Sequence, residues 1–202
     1  MEIMAPAAKP AKRDTSHLFI DLTNSQVDVV NHDVQVAKHI CVDILSRISA
    51  KRAETLSLLH MAFGLNIKSG KEIDFVQDFY RKCNDGLGKA AFKADATPGG
   101  MCVAEGFTAC VVSDMRGTIV LSSLENMEDY FSHEPLDRST TLIHEFAHMI
   151  GLDSKDHPGG IWEAEVPPSD GKPRIAWANA SHNAHCYGNF AYWVAKADKI
   201  LQ

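Results

Sequence analysis

The sequence predicts an α+β fold, mainly helical, with a small β-hairpin or sheet beside a short helix that carries His144-Glu145-Phe146-Ala147-His148. Three observations predict it. Apolar residues recur at helical spacing through most of the N-terminal half, the pattern changes after Asp95 to short β-type runs broken by glycine, and helical patterning then returns.

In chain order, residues 1–13 are rich in Ala, Pro and Lys without apolar periodicity, and are expected to be a disordered lead-in before a single domain spanning 14–202. They lack the apolar core of a signal peptide. The Lys12-Arg13 pair reads either as a dibasic site closing a pro-segment or as a basic pair in a linker. His17 to Leu22 reads as a short strand, and Thr23-Asn24-Ser25 as a helix start. Val30, Val34, Ala37, Cys41, Ile44 and Ile48 then form one apolar stripe, with Asp33, Lys38, Asp43 and Arg47 off it. Helical character is expected to continue through Leu56, Leu59 and Phe63 and to stop at Gly64. Ile73, Val76, Phe79, Cys83 and Leu87 mark a further amphipathic helix closed by Gly86 and Gly88.

Thr97-Pro98-Gly99-Gly100 is turn chemistry, and Val111-Val112 and Thr118 to Leu121 read as a hairpin across residues 113–117. Asp137 or Ser139 is positioned to cap a helix from about Thr140 to Ile150, with Gly151 at its end. Residues 152–174, rich in Asp, Pro and Gly, read as loop, and a last helix is expected from about Ala176 to Ile200 with Phe190, Trp193, Val194 and Ala197 on its apolar side.

At 202 residues the chain can bury one sizeable core. No apolar run approaches the ~20 residues needed to span a bilayer. A formal net charge of -6 with scattered Lys and Arg excludes the usual phosphate-binding surface, so neither nucleic acid nor membrane is an expected partner, and a monomer is expected. The five cysteines contain no CxxC pair. Cys41, Cys83, Cys102 and Cys110 are expected to form two disulfides, leaving Cys186 unpaired, as in a secreted protein; five reduced, mostly buried thiols in a cytosolic protein are the alternative.

The motif HExxH carries the chemistry. His144 and His148, four residues apart, stand one turn apart on one helix face, so both imidazoles can reach a single ion, with the Glu145 carboxylate beside them. Zn2+ in such a site keeps an open position for water and lowers its pKa towards neutrality, and Glu145 is placed to act as general base. The apolar flanks Leu142-Ile143, Phe146-Ala147 and Met149-Ile150 suit a buried helix.

After the second histidine, Gly151 fits a metzincin continuation, but that family's third ligand position falls on Ser154. The segment Asp153-Ser154-Lys155-Asp156-His157-Pro158-Gly159-Gly160 and the later Asn183-Ala184-His185-Cys186-Tyr187-Gly188-Asn189-Phe190-Ala191 resemble instead the aspzincin metallopeptidases, the deuterolysin and fungal lysine-specific metallo-endopeptidase group. That family carries Gly-Thr-x-Asp-x-x-Tyr-Gly after HExxH, and an Asn-Ala-Asp-x-Tyr-x-x-Phe-Ala-like signature on its last helix. The resemblance implies a zincin-like metallopeptidase fold over about residues 14–200, with the hairpin as a substrate-aligning edge strand. It also implies secretion, a peptide or protein substrate, and Asp156 as third zinc ligand after His144 and His148. Asp153 lies close behind the helix end and His157 is chemically competent; Asp156 is the one that matches the family ligand.

Two positions depart from the family. Gly159 stands where a Tyr would stabilise the tetrahedral intermediate, and His185 replaces an Asp. His157, Arg174, His182 and His185 are the candidate substitute donors, and Glu163, Glu165 and Asp170 are the acids that a lysine-selecting pocket would need. Tyr187 reads as a core residue. The expected function is a zinc-dependent endopeptidase; the alternative is a catalytically weak or inactive secreted zinc-binding protein on the same fold.

Overall fold

Thr23 opens the first long helix by a reciprocal cap: its Oγ1 accepts the Gln26 amide at 3.3 Å, and Gln26 Oε1 accepts the Thr23 amide at 2.9 Å. The computed structural model describes residues 18–65, 70–97, 100, 102, 107–112, 117–124, 129–152, 167–173 and 175–197. The lead-in of residues 1–13 lies outside them. Helix α1 runs Asn24–Ser49 and buries the whole predicted stripe against α3 (Gly70–Gly86), α4 (Pro135–Met149) and α6 (Ala184–Ala197).

Two off-stripe charges are buried as well, because each has a partner. Asp33 is fully buried and accepts Arg138 Nε at 2.7 Å, Arg138 Nη2 at 3.1 Å and the Tyr130 hydroxyl at 3.0 Å. Arg47 donates to Asp43 Oδ2 at 2.6 Å one turn away. Charges enter a core only when paired and hydrogen-bonded.

The helical run to Gly64 is broken once. Lys51 takes a left-handed φ of 51°, with its amide on the Ile48 carbonyl at 3.0 Å and the Arg52 amide on that of Arg47 at 3.1 Å. These bonds close α1, and α2 (Ala53–Phe63) starts anew. Gly64 ends α2 at φ 63°, where a Cβ would stand 2.6 Å from the Ile175 carbonyl oxygen.

A mixed four-stranded sheet, ordered β1-β2-β4-β3, lies beside the helices. β1 (Phe19–Ile20) pairs parallel with β2 (Ala91–Asp95), β2 pairs parallel with β4 (Thr118–Ser122), and β3 (Ala109–Val111) pairs antiparallel with β4 in the register Cys110↔Val120. The hairpin is where the sequence predicts it. β2 is not predicted, because Ala91-Phe92-Lys93-Ala94-Asp95 has weak strand propensity and becomes a strand by pairing on both sides. β4 is buried along its length and β3 forms the sheet edge.

Cys102 and Cys110 form a disulfide that ties the segment before β3 to β3 itself. The expected second disulfide is absent: Cys41, Cys83 and Cys186 are free thiols. Cys41 and Cys83 lie on the inner faces of α1 and α3, where a thiol packs as a small hydrophobe.

Helix α4 begins five residues before the expected start. Pro135 occupies its first turn, where a missing N–H costs nothing, and the hydroxyls of Ser139 and Thr140 bond back to the carbonyls of Pro135 at 2.7 Å and Leu136 at 3.0 Å instead of capping. The expected last helix is two, α5 (Trp177–Ala180) and α6. Buried Asn183 separates them: its Oδ1 accepts the His185 amide at 2.9 Å and so caps α6. Phe63, Phe79, Tyr80, Tyr187 and Phe190 form the aromatic centre of the core, confirming Tyr187 as a core residue. No helix among the described residues is long and apolar enough to cross a membrane.

Candidate metal centre

Helix α4 buries Leu142, Ile143, Phe146 and Ala147 and thereby turns His144 and His148 to one side together. Their Nε2 atoms lie 3.1 Å apart. Two nitrogens bound to one tetrahedral ion at ~2.05 Å would be about 3.3 Å apart, so the pair is already spaced for a shared metal. His148 Nδ1 contacts the Leu152 carbonyl oxygen at 3.0 Å, an orientation that assigns Nδ1 the proton and leaves Nε2 its lone pair. Burial, with His185 and His148 adding to it, holds the His144 pKa well below its usual value, which keeps that ring in the neutral form a metal requires.

Glu145 is buried behind the pair, with Oε1 3.8 Å from His144 Nε2. Burial raises its pKa from 4.5 to about 8, opposed by a backbone hydrogen bond from Val111 on β3. Its Oε2 has no hydrogen-bond partner among the described residues. An orphaned oxygen in such a place is costly unless something else occupies it, and a water or cation beside the histidines fits that need. The two imidazoles are of the donor type a zinc ion takes and supply two of the three protein ligands such a site uses.

The edge strand closes one side. The Ser122 amide donates to the Thr108 carbonyl at 2.9 Å, and Cys110 lies opposite Val120. By the alternation of an antiparallel ladder, the main-chain groups of Ala109 and Val111 turn away from β4. The hydrogen bond to Glu145 is one product of that orientation.

Helix α6 closes the other side. A Cβ on Gly188 would stand 3.2 Å from His144 Cβ and 3.6 Å from the Thr140 carbonyl oxygen, so glycine lets α6 abut α4 at the first histidine. One turn earlier, the His185 ring meets the His144 ring with centroids 4.4 Å apart at 63°.

The structure thus brings together His144, Glu145 and His148, with His185 at their side. Among the described residues no third His, Cys, Asp or Glu completes a three-ligand set. Asp156, with Asp153, His157, Gly159, Glu163, Glu165 and Arg174, lies outside those residues. His182 is exposed in the turn before α6, and Asp170 is exposed and accepts the Lys172 amide at 3.1 Å. Sequence reasoning did not anticipate the Val111 contact with Glu145, which has no side-chain signal. The Gly188 contact did have one: His185 and Gly188 are spaced i, i+3 on one helix face.

No protein-family model matches the chain, and no curated protein matches its sequence. Among solved structures it is similar to a zinc peptidase from Grifola frondosa, with 16% sequence identity and a TM-score of 0.59 over 85% of this chain and 96% of that chain. The likeness shows the fold: an α+β, mainly helical zincin-like metallopeptidase fold with a small mixed sheet beside the HExxH helix.

Proposed function

We propose that this chain is a zinc-dependent endopeptidase in which His144, His148 and Asp156 hold the metal and Glu145 is the general base. The observation that carries it is the pair of Nε2 atoms 3.1 Å apart beside a buried carboxylate with an unpartnered oxygen. Zinc, when bound, supplies Lewis acidity that polarises a carbonyl and makes a water acidic near neutral pH. Asp156 leaves a net positive centre with the two neutral imidazoles, which preserves that acidity.

The chain's own residues do the rest. The carboxylate form of Glu145 is favoured beside a cation, opposing the effect of its burial. Ionised, it takes a proton from the attacking water and passes it to the leaving amine. The Val111 amide fixes one side of this carboxylate. Ala109 and the Val111 carbonyl offer main-chain groups on which an extended peptide adds as a further strand. The Cys102–Cys110 disulfide anchors that edge and supports an extracellular location.

Gly159 favours a second reading, a zinc-binding protein with weak or no activity, because one missing transition-state donor typically costs about 100-fold to 1000-fold in rate. One experiment separates the two. Zinc-loaded protein and its Glu145→Gln variant are incubated with a mixed peptide library and the products read by mass spectrometry. Cleavage by the parent alone supports the peptidase, and equal product or none from both overturns it.

A further inference from the structure

We propose that His185 is a further catalytic residue, whose imidazole N–H donates a hydrogen bond to the oxyanion developing on the scissile carbonyl. The inference rests on the peptidase reading and adds to it the donor that Gly159 cannot supply.

The His185 ring packs edge-on to that of His144, with centroids 4.4 Å apart, and is only partly buried, so it borders both the metal-binding pair and solvent. It is not part of a three-ligand set with His144 and His148. A polar ring packed against the first histidine of the pair is placed to touch what reacts beside it. Its support is rigid, as a transition-state donor requires. The Asn183 side chain holds the His185 amide at 2.9 Å, the Tyr187 hydroxyl donates to the Ser181 carbonyl at 2.9 Å, and the Tyr80 hydroxyl donates to the Tyr187 carbonyl at 2.8 Å. Gly188 sets the approach of the whole helix to His144. An imidazole carries an N–H donor in either protonation state.

The test compares wild type with His185→Ala and with His185→Gln, which retains a side-chain N–H donor. Metal content, kcat and KM are measured, together with calorimetric binding of a phosphoramidate peptide, whose phosphoryl oxygens imitate the tetrahedral intermediate. His185→Ala should keep about one zinc per chain, leave KM within about threefold, and lose about 100-fold to 1000-fold in kcat and in phosphoramidate affinity together. His185→Gln should recover part of both losses. Zinc loss from His185→Ala would make the residue a ligand and overturn the proposal. An unchanged phosphoramidate affinity, or an equal loss in KM and in phosphoramidate binding, would also overturn it. Wild-type protein that holds zinc yet neither cleaves peptides nor binds the phosphoramidate would refute the peptidase reading and this inference with it, a result visible before any His185 variant is made.

Discussion

Replacing Arg138 with alanine would strip a fully buried carboxylate of its counter-charge. Asp33 accepts two hydrogen bonds from the Arg138 guanidinium, at 2.7 and 3.1 Å, and one from Tyr130 at 3.0 Å. Arg138 also donates to the His133 carbonyl, so the same side chain ties α1 to the segment that leads into α4. Breaking a buried ion pair from one side typically costs about 3–5 kcal/mol; Asp33 would keep only the Tyr130 hydroxyl and the exposed His32 ring, whose Nδ1 lies 3.4 Å from Oδ1. At about 2–4 °C per kcal/mol for a chain of this size, the melting temperature should fall by about 6–20 °C. The double variant Asp33→Leu/Arg138→Met removes both charges at similar volume and should recover most of the loss. Tyr130 then keeps the Arg138-position carbonyl, 3.4 Å from its hydroxyl, as partner. Equilibrium urea unfolding of wild type, Asp33→Leu, Arg138→Met and the double variant gives the coupling directly. Arg138→Ala costing under about 1 kcal/mol, or a double variant as unstable as the sum of the singles, would refute the reasoning. His144 lies about 9 Å further along the same helix, so zinc affinity should weaken in Arg138→Ala and return in the double variant.

Three other outcomes are expected. In metal-free protein the Glu145 pKa is raised from 4.5 to about 8, so folding binds its proton more tightly than the unfolded chain does, and stability should fall as pH rises from about 4.5 to about 8. Glu145→Gln should flatten that slope in chelator-treated protein, and an unchanged slope would assign it to other groups. Protein made in an oxidising compartment should titrate three thiols after denaturation without reductant, from Cys41, Cys83 and Cys186; five would refute the Cys102–Cys110 bond. Gly188→Ala puts a methyl 3.2 Å from His144 Cβ, forcing α6 and α4 apart by a few tenths of an ångström, and should cost about 1–2 kcal/mol and weaken zinc binding in a chelator competition assay. Zinc affinity equal to wild type would show that the helices yield without moving the histidine.

Patterns local in the chain are legible in the sequence. The stripe from Val30 to Ile48 has a helical period that only one buried face can satisfy, and every member is buried. The pair His144 and His148 shares a face because four residues make just over one helical turn, and Glu145 follows them into the site by adjacency. The hairpin is legible from two β-rich runs with turn residues between them. What depends on contacts between distant segments is not. β2 is a strand because β1 and β4 flank it, and Asp33 is buried because a guanidinium 105 positions away meets it. The helix break at Asn183 depends on its side chain accepting the backbone amide of His185 two residues on, a choice that the helical periodicity on either side conceals. The nearness of His185 to His144 needs α6 to cross α4 at a glycine. Sequence alone thus determined which short segments carry apolar faces and which residues one helix turn groups together, since both follow from the period of a single helix or strand. Tertiary structure alone decided which charges are paired inside and which third ring stands against His144, because those depend on where separate elements touch.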